Sequence, residues 1–443
     1  MTRSTILYEL FNLTIPAGTG IATYARNLCA IGAELGYDVE GLLHSYRSID
    51  AKDPTLAEVS FFDARNRKIS PFTKYVTMNM RRGVGVPFGI KSRPMARGGI
   101  VVHPNADRTL AALKTLHVSR LFMDLSRAHF KRFGSAARLR METTPDVFHA
   151  TQAVPLYVPG AKNVYTIHDI IPLRLPYSTL DDKKYFLNMT RKLGQIADKI
   201  VTVSEASRDD LIRYCGIPPE KIVNTYQSVT FPSEILSQSN EEAARLVKHS
   251  FGLDVGDYYL FYGAIEPKKN VGRLIDAFIA SGTTRKLALA GGLGWEYEGD
   301  LEKIKDNTTH ALKVEGRRIM PDERIRRLQH LPLFQLAALI RCSRAVIFPS
   351  LYEGFGLPVL ESMLLRSPVI TSNVSSLVEV AGDAALLVEP TEIQSIMAAI
   401  QKIDSDDALC SELSARGVTQ AKKFSPGAHK ERLGRVYEDL LHR

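Results

Sequence analysis

A repeated alternation of short apolar, β-branched runs with helical stretches constrains the fold of this chain most. Six such runs lie in the first half: STILYELFNL, DVEGLLHS, GGIVVHP, DVFHAT, KNVYTIHD and DKIVTVS. Five more lie in the second half: YYLFYGAI, KLALAGG, RAVIFPS, SPVITSN and AALLVEP. Short apolar strands that alternate with helices are typical of parallel sheets covered on both faces. The pattern therefore predicts two doubly wound α/β domains in succession.

The chain length supports the same division. A chain of 443 residues is too long for one ordinary hydrophobic core. The polar stretch TFPSEILSQSNEEAARLVKHSFGLDVGD contains no strong strand pattern, so we expect the domain boundary near residues 232–255. This predicts an N-terminal domain over residues 1–235 and a C-terminal domain over residues 250–424.

Composition excludes several classes of protein. The four cysteines are widely spaced and form no C-x-x-C pair, which indicates neither a disulfide framework nor a zinc site and fits a reducing compartment. The N-terminal apolar run is broken by Glu9 and Pro16, so it is typical of a first strand rather than a signal peptide. No window approaches the roughly 18 apolar residues of a membrane-spanning helix. We expect a soluble or peripheral, cytoplasmic protein.

Positive charge is concentrated in one region. Between Arg65 and Arg140 there are seventeen Lys and Arg residues against two acids, Asp107 and Asp124, whereas the whole chain carries a net charge of +9. Such a region attracts phosphate groups of anionic lipid, nucleic acid or a pyrophosphate-carrying substrate. The alternative is a solvated helical surface whose arginines cover apolar ground.

The segment PAGTGIATYARNL places Gly18 and Gly20 between a strand and a helix. Glycines there let the backbone approach a ligand, and the helix N-terminus directs its amides toward it. Thr23 stands where the dinucleotide fingerprint G-x-G-x-x-G needs a small residue, so that motif is absent. A plain tight turn is the alternative.

The segment GAIEPKKNVGRLIDAFI places Lys268 and Lys269 after a strand and before a helix. Ligands in parallel sheets bind at the carboxyl ends of strands, where a lysine can neutralise a phosphate. We favour Lys269 for this role. By itself the segment is also compatible with a basic turn that has no ligand.

The segment FPSLYEGFGLPVLESM carries two carboxylates, Glu353 and Glu361, around a glycine loop. Pro358 suits the first turn of a helix, so the amides of Gly356 and Leu357 should face outward at a helix N-terminus and grip an anion or a hydroxyl. The two acids are candidates for proton transfer, for metal binding or for holding sugar hydroxyls. Glu361 would also be favourable there simply through the helix dipole.

Together these motifs resemble the retaining GT-B glycosyltransferases of family 4. The resemblance rests on FPS followed by EGFGLPVLESM, on EPKKN upstream and on SLVEVAGDAALLVEP downstream. It extends more thinly to AGTGIATYARNL, DVFHAT, TIHDIIPL and ADKIVTVSEASRDDL. The branch with an I-E-P-[RK]-K-N segment, which includes bacterial polysaccharide mannosyltransferases, is most similar.

The resemblance implies two Rossmann-like domains that face each other across a cleft. The C-terminal domain would hold a nucleotide-sugar donor and the N-terminal domain a glycan or lipid-diphosphate-linked acceptor. The final segment 425–443 resembles a closing helix that packs back on the N-terminal domain.

The resemblance also implies a role for each candidate residue. Glu353 would hold donor-sugar hydroxyls, Glu361 the ribose diol, and Lys269, with Lys268 beside it, the diphosphate. The amides of Gly356 and Leu357 would meet the sugar and diphosphate. Gly18 and Gly20 would let the first loop approach the phosphates or the acceptor.

Two positions depart from the family pattern. Ala264 stands where many relatives have an arginine, so phosphate neutralisation would rest on Lys269 together with Arg273 or another residue that the sequence does not identify. Many relatives also have two histidines at the end of the fourth strand, where this chain has only His149. His168, in TIHD, is the other candidate catalytic histidine. A lone histidine at a strand end is more often structural than catalytic.

We expect a metal-independent reaction, because no D-x-D lies at a strand end and Asp404-Ser405-Asp406 is typical of a helix cap. The resemblance implies retaining transfer of a hexose. The branch favours mannose or a related deoxyhexose from a GDP-sugar over a UDP-sugar, with no cofactor, in polysaccharide biosynthesis. A nucleotide-sugar epimerase, a phosphorylase and a non-catalytic basic module are the alternatives. We expect no nucleic-acid partner, and possible contact with the cytoplasmic membrane face through the basic region 65–140.

Overall fold

The structure, a computed structural model, describes residues 3–14, 20–46, 53–66, 86–95, 113–294, 312–315, 318–321, 324–329 and 331–442, with positions 101, 109, 110 and 302. Two units are present. Unit 1 comprises Met1–Ile170, Asp181–Tyr226 and His429–Arg443. Unit 2 comprises Ile171–Leu180 and Gln227–Ala428. The predicted boundary region begins a few residues after the change of unit at Tyr226, and the separate segment Ile171–Leu180 had no signal in the sequence.

The strands, in chain order, are β1 (Thr5–Glu9), β2 (Asp38–Ser45), β3 (Ile90–Lys91), β4 (Arg93–Met95), β5 (Thr115–Arg120), β6 (Ala137–Arg140), β7 (Val147–Ala150), β8 (Leu156–Tyr157), β9 (Lys162–Thr166), β10 (Lys199–Thr202), β11 (Ile222–Asn224), β12 (Tyr258–Tyr262), β13 (Lys286–Ala290), β14 (Leu312–Glu315), β15 (Arg318–Pro321), β16 (Ile325–Leu328), β17 (Ala345–Phe348), β18 (Val369–Ser372) and β19 (Leu386–Val388).

The α-helices are α1 (Gly20–Glu34), α2 (Pro54–Asn66), α3 (Phe122–Phe133), α4 (Ile171–Arg174), α5 (Lys183–Ile196), α6 (Glu205–Cys215), α7 (Ser233–Leu236), α8 (Asn240–Phe251), α9 (Val271–Ala280), α10 (Leu333–Cys342), α11 (Leu357–Leu364), α12 (Ser376–Ala381), α13 (Ile393–Ser405), α14 (Asp407–Ala421) and α15 (Pro426–Leu441). Short 3₁₀ helices lie at Phe11–Thr14, Pro176–Ser178, Pro219–Lys221, Pro267–Lys269 and Lys422–Phe424.

Each unit contains one large sheet. The sheet of unit 1 has the order β11-β10-β9-β7-β1-β2-β5-β4, and all its pairs are parallel except β4 with β5. The sheet of unit 2 has the order β16-β13-β12-β17-β18-β19 and is parallel throughout. The predicted doubly wound α/β class is confirmed.

Ten of the eleven predicted strand runs form strands, and GGIVVHP lies outside the described residues except for Val101. The runs are apolar throughout because their strands are covered on both faces of the sheet. Every residue of β7, β12, β17 and β18 is buried. Strand β5, with the sequence TLHVSR, and strand β16, with IRRL, carried no such apolar signal. They lie near the edges of their sheets, where polar side chains are tolerated.

The strand orders indicate where each unit would bind a ligand. In unit 1 the chain runs outward from β1 through β2 on one side and through β7 on the other, and in unit 2 it does so from β12 through β13 and β17. Ligands of open α/β sheets bind beside such a reversal of strand order, at the carboxyl ends of the strands. Each unit therefore has one candidate binding position: the ends of β1 and β7 in unit 1, and the ends of β12 and β17 in unit 2.

Within the described part of the chain, no helix combines the length and the apolar character needed to cross a membrane. All four cysteines are buried free thiols.

Candidate functional site

In unit 2, hydrogen bonds connect the loops that follow β12 and β17. Asn270, which has a left-handed backbone conformation (φ 61°), donates from Nδ2 to the carbonyl oxygens of Pro349 (3.1 Å) and Pro390 (2.6 Å). The Leu351 N–H donates to the Lys268 carbonyl oxygen at 2.8 Å. The short 3₁₀ helix Pro267–Lys269 is thereby held against the loop after β17.

Lys269 and Glu353 meet across these loops. The Lys269 Nζ lies 2.6 Å from Glu353 Oε1, and the two side chains are 13% and 11% exposed. The ammonium also lies over the Phe348 ring, 4.7 Å from its centroid. The structure thus brings together two of the residues that the sequence singled out, at the carboxyl ends of β12 and β17.

The backbone of Glu353 is fixed by two serines. Its N–H donates to Ser375 Oγ at 3.1 Å, and its carbonyl oxygen accepts from Ser376 Oγ at 2.9 Å. Burial acts to raise the pKa of the Glu353 carboxyl, whereas the charges of Lys269 and Lys268 act to lower it. The charges prevail, and the pKa lies below the usual value for glutamate. Glu353 is therefore an ionised hydrogen-bond acceptor and not a proton donor at neutral pH.

The glycine loop leads into α11 as the sequence predicted. Gly356 is the N-cap with a left-handed backbone (φ 98°), Leu357 is the first helical residue, and Pro358 lies in the first turn, where it needs no N–H partner. A Cβ on Gly356 would lie 2.6 Å from Leu377 Cδ2. Both the backbone angle and the close packing therefore require glycine at the start of this helix.

Glu361 lies on α11 beside Tyr262, the last residue of β12, and not in the pair formed by Lys269 and Glu353. Burial raises the pKa of Glu361, and the Tyr262 hydroxyl acts in the opposite direction. The same hydroxyl donates to the Pro358 carbonyl oxygen at 2.8 Å. Glu361 is thus a partly buried carboxyl that forms no ion pair with any residue that the structure describes, which suits an acceptor for ligand hydroxyls.

The other basic candidates of unit 2 differ in their partners. Lys268 Nζ lies 3.3 Å from Glu266 Oε1. Arg273 donates from Nη1 to Asn270 Oδ1 at 2.9 Å, so it supports the loop that carries Lys269. Ala264 is exposed after β12. Lys269 is accordingly the cation that the fold holds most firmly at the strand ends.

In unit 1 the strand ends present a carboxyl group that sequence reasoning missed. Glu9, the last residue of β1, is fully buried, and its carboxylate accepts from the Phe11 N–H at 2.7 Å and from Gln152 Nε2 at 3.3 Å. Thr151 Oγ1 donates to the Glu9 carbonyl oxygen at 2.8 Å. Burial raises the pKa of Glu9 to about 7. In the sequence Glu9 only interrupts an apolar run, which gave no sign of this environment.

His149 lies at the same edge, on β7, and is completely buried. Its Nδ1 is 2.7 Å from the Tyr437 hydroxyl and its Nε2 is 2.9 Å from Thr166 Oγ1. Burial lowers the pKa of His149 to about 3, so the ring is neutral. Both ring nitrogens are occupied within unit 1, an environment that favours a packing role over a catalytic one.

His168 is more accessible than His149. It is half-buried, and its Nε2–H donates to the Thr151 carbonyl oxygen at 2.9 Å. The Tyr24 ring packs edge-on against it with centroids 4.9 Å apart. Burial lowers its pKa. Gly20 is the first, exposed residue of α1, whereas Gly18 lies outside the described residues.

Metal binding was one predicted role of the paired acids Glu353 and Glu361. Across the ranges that the structure describes, no three His, Cys, Asp or Glu side chains are grouped as ligands for a metal ion. Asp406 caps α14 by accepting from the Leu409 N–H at 2.8 Å, as the sequence indicated. Asp404 instead accepts from Arg285 at 2.6 Å and from Thr283 Oγ1 at 2.7 Å.

Two stretches of the chain match models of known protein families. Residues 251–423 match the model for glycosyl transferases group 1, and residues 100–229 match the model for Glycosyltransferase Family 4. The chain belongs to the group 1 glycosyltransferases. The group 1 match contains every candidate residue of unit 2, and the family that the sequence resembled is confirmed.

Two relatives of this glycosyltransferase are mannosyltransferases by name. "O-antigen chain mannosyltransferase B" of Escherichia coli is 35% identical over 59% of this chain and 66% of the relative. "Serotype-specific mannosyltransferase WbdA" of Escherichia coli is 29% identical over 60% of this chain. The matches span 66% of the first relative and 32% of the second.

Among solved structures, sucrose-phosphate synthase from Thermosynechococcus elongatus superposes on this glycosyltransferase with a TM-score of 0.65 and 17% identity. The superposition covers 99% of this chain and 100% of that one. At this identity the likeness concerns the fold alone, and the predicted GT-B fold is confirmed.

Proposed function

We propose that this chain is a retaining, metal-independent glycosyltransferase that moves a mannosyl or related deoxyhexosyl group from a nucleotide-diphosphate sugar to a glycan or lipid-linked glycan. The observation that carries the proposal is the buried pair of Lys269 and Glu353 at the carboxyl ends of β12 and β17. A buried ion pair beside the N-terminus of α11 is a costly arrangement. A ligand that carries both phosphates and hydroxyls accounts for it.

Each group in unit 2 would then have one task. Lys269 and Lys268 offset the diphosphate charge, and the amides of Gly356 and Leu357 meet the phosphates at the start of α11. Ionised Glu353 accepts hydrogen bonds from sugar hydroxyls, and Glu361, beside Tyr262, accepts those of the ribose diol.

The chemistry follows from this assignment. In same-face attack the acceptor hydroxyl enters as the diphosphate leaves, so stabilising charge on the leaving group counts for most. Lys269 and the helix dipole provide that stabilisation, and no side chain serves as a covalent nucleophile. Of the two predicted histidines, His168 would contact the substrate, and His149 would stay in its hydrogen-bonded network. Gly20 would keep its predicted role at the start of α1, and the role of Gly18, which lies outside the described residues, stays a prediction.

The choice of sugar rests on the relatives. Both are named mannosyltransferases, and the name of one specifies an O-antigen chain, which supports mannose and an acceptor in polysaccharide biosynthesis. The preference for a GDP-sugar donor over a UDP-sugar rests on the sequence resemblance alone. Unit 1 would bind the acceptor. We extend the proposal to a cytoplasmic protein that contacts the anionic membrane face through its basic region, of which Arg81 and Arg82 lie outside the described residues.

Ligand binding tests the proposal first. Thermal shift of the purified protein with GDP and with UDP compares the two bases, because a ligand that binds the native state raises its stability. GDP should give the larger shift. Lys269→Ala and Glu353→Ala should each abolish the shift and the transfer of labelled sugar. Lys248→Ala is the matched control, since Lys248 Nζ also lies 2.6 Å from a carboxylate, that of Asp254, but is exposed.

Three results would overturn parts of the proposal. Full donor binding and activity in both Lys269→Ala and Glu353→Ala would reject the donor site. Loss of activity in EDTA that Mn²⁺ or Mg²⁺ restores would reject metal independence. Conversion of the donor sugar into its epimer without transfer would identify a nucleotide-sugar epimerase instead.

For the membrane contact, neutralising Arg81, Arg82, Lys91 and Arg93 should reduce sedimentation with anionic vesicles at low salt.

A further inference from the structure

A groove on the surface of unit 1 is lined by residues that belong to neither set of strand ends. It has a volume of about 550 Å³ and runs between the C-terminal turn of α3 and the length of α5. Four cationic side chains line it: Lys131, Lys184, Arg191 and Lys192. None of its lining residues belongs to a β-strand, so the transfer chemistry proposed above does not explain it.

The cations are arranged along one face of α5. Lys184, Asn188, Arg191, Lys192 and Gln195 all line the groove, and each lies three or four positions from another member of the set. Side chains at these spacings share a helix face. That face contains positive charges and amide groups but no acid, along most of the length of a helix of 14 residues.

Among the described residues that line the groove, Asp182 carries the only carboxylate, and it is already engaged. It caps α5 by accepting from the Tyr185 N–H at 3.0 Å, and its Oδ2 lies 3.8 Å from Lys131 Nζ. Within the described ranges, Lys184 and Arg191 form no ion pair with any carboxylate. Among the described residues, the one hydrogen-bond acceptor of the Lys192 ammonium is a neutral amide oxygen, Gln195 Oε1, at 3.4 Å. Four cations against one acid leave the groove with a net positive charge of three.

The wall of the groove indicates which anion it suits. Lys131 lies over the Tyr185 ring, 5.2 Å from its centroid, and Phe130 packs edge-on against that ring at 5.5 Å. Because one ring face is already covered, the groove offers charge and hydrogen-bond donors rather than an aromatic platform for a sugar or a base. Arginine and lysine together with amides are the usual partners of phosphate groups and of hydroxyls attached to them.

We propose that this groove is a second binding site, for a phosphate or diphosphate group that carries a hydroxylated substituent. Arg191 and Lys184 bind the phosphate oxygens, Lys131 and Lys192 complete the neutralisation, and Asn188 and Gln195 hydrogen-bond the substituent. The ligand chemistry has two possible sources, the headgroup of an anionic membrane lipid and a water-soluble phosphate compound. The site is independent of the donor site of unit 2 and of the proposed transfer reaction.

The experiment compares the full-length protein with Lys184→Ala/Arg191→Ala. The control is Arg213→Ala/Arg435→Ala, which removes the same charge from exposed positions of unit 1 outside the groove. One arm titrates pyrophosphate by calorimetry at low salt, and the other measures sedimentation with phosphatidylglycerol vesicles and with neutral phosphatidylcholine vesicles. Any pyrophosphate bound at Lys269 is common to all three proteins and cancels in the comparison.

We expect the groove variant to lose at least tenfold in affinity in one arm while the control stays within twofold of the wild type. If the groove variant loses affinity for pyrophosphate, the ligand is a soluble phosphate compound. If it loses binding to anionic vesicles alone, the ligand is a lipid headgroup. Equal losses in the groove variant and the control would show an unspecific charge effect and overturn the proposal. Unchanged binding by the groove variant in both arms would overturn it as well. Unfolding midpoints of all three proteins verify that each variant is folded.

Discussion

Lys269 and Glu353 lie 84 positions apart in the chain, yet their side chains meet at 2.6 Å in unit 2, with only 13% and 11% of their surfaces exposed to solvent. A buried pair of this kind contributes little net stability, but removing one partner is expensive because the other charge is left behind. The pair therefore links the stability of unit 2 to the residues proposed to hold the donor.

Lys269→Ala should destabilise unit 2 by about 3 kcal/mol at pH 7, since removal of one partner of a buried pair typically costs about 3–5 kcal/mol. Glu353 can take up a proton once its partner is removed, which limits the loss of unfolding free energy. Urea unfolding measures it. Lys248→Ala, which breaks an exposed pair of the same length, should cost less than about 1 kcal/mol. Equal losses in the two variants would contradict a buried pair.

Acid should weaken the same interaction. The pKa of Glu353 is lowered in the folded state, so its stabilising contribution is present above the unfolded pKa of about 4.3 and is lost as the pH falls through the folded pKa. The stability difference between the wild type and Glu353→Gln should consequently shrink between pH 6 and pH 3. Urea unfolding at several pH values tests this, and a constant difference would contradict the assigned direction.

Glu9 should behave in the opposite way. Its folded pKa is raised to about 7, so the carboxyl is neutral without cost below the unfolded pKa of about 4.3. Stability is lost as the pH rises from there through 7, by an amount on the order of 3 kcal/mol. The Arg127 charge opposes the shift in part.

The test for Glu9 is Glu9→Gln, which keeps the shape and removes the titration. Its unfolding free energy should depend less on pH between 5 and 8 than that of the wild type. A ¹³C NMR titration of the Glu9 carboxyl gives the pKa directly. A value near 4 would contradict the raised pKa.

Gly356→Ala should weaken donor binding by at least tenfold. The backbone has φ 98°, and the new Cβ would lie 2.6 Å from Leu377 Cδ2, so the start of α11 must shift. Gly282→Ala is the control, because Gly282 also has positive φ (72°) but open space around its Cβ position. Both variants should lose stability, whereas only Gly356→Ala should lose affinity for the nucleotide in a thermal-shift titration.

Tyr437→Phe tests the structural role of His149. The Tyr437 hydroxyl lies 2.9 Å from the Tyr8 hydroxyl and 2.7 Å from His149 Nδ1, and all three residues are fully buried. Its loss should cost about 1–3 kcal/mol of unfolding free energy, because a buried polar group is left without its partner. Nucleotide binding should be unchanged. A large fall in kcat without loss of stability would instead support a catalytic role for this network.

Much of the architecture could be read from the sequence because it depends on local patterns. Apolar runs such as YYLFYGAI and RAVIFPS are strands wherever a parallel sheet covers both their faces, and the glycine and proline of EGFGLP specify the start of α11 through their own backbone preferences. These features need only neighbouring residues. The position of Lys269 and of Glu353 at strand ends follows from the same local signals.

The partners of the polar side chains were decided only by the tertiary structure. Glu9 looked like a break in an apolar run, and it becomes a buried, hydrogen-bonded carboxyl because β7 brings Thr151 and Gln152 beside it. His149 looked like a free strand-end histidine until α15, nearly 300 residues later, placed Tyr437 against it. Local propensity determines which segments become strands and helices. The order in which strands pair determines which distant charges and hydroxyls are buried together, and that order is set by packing across the whole unit.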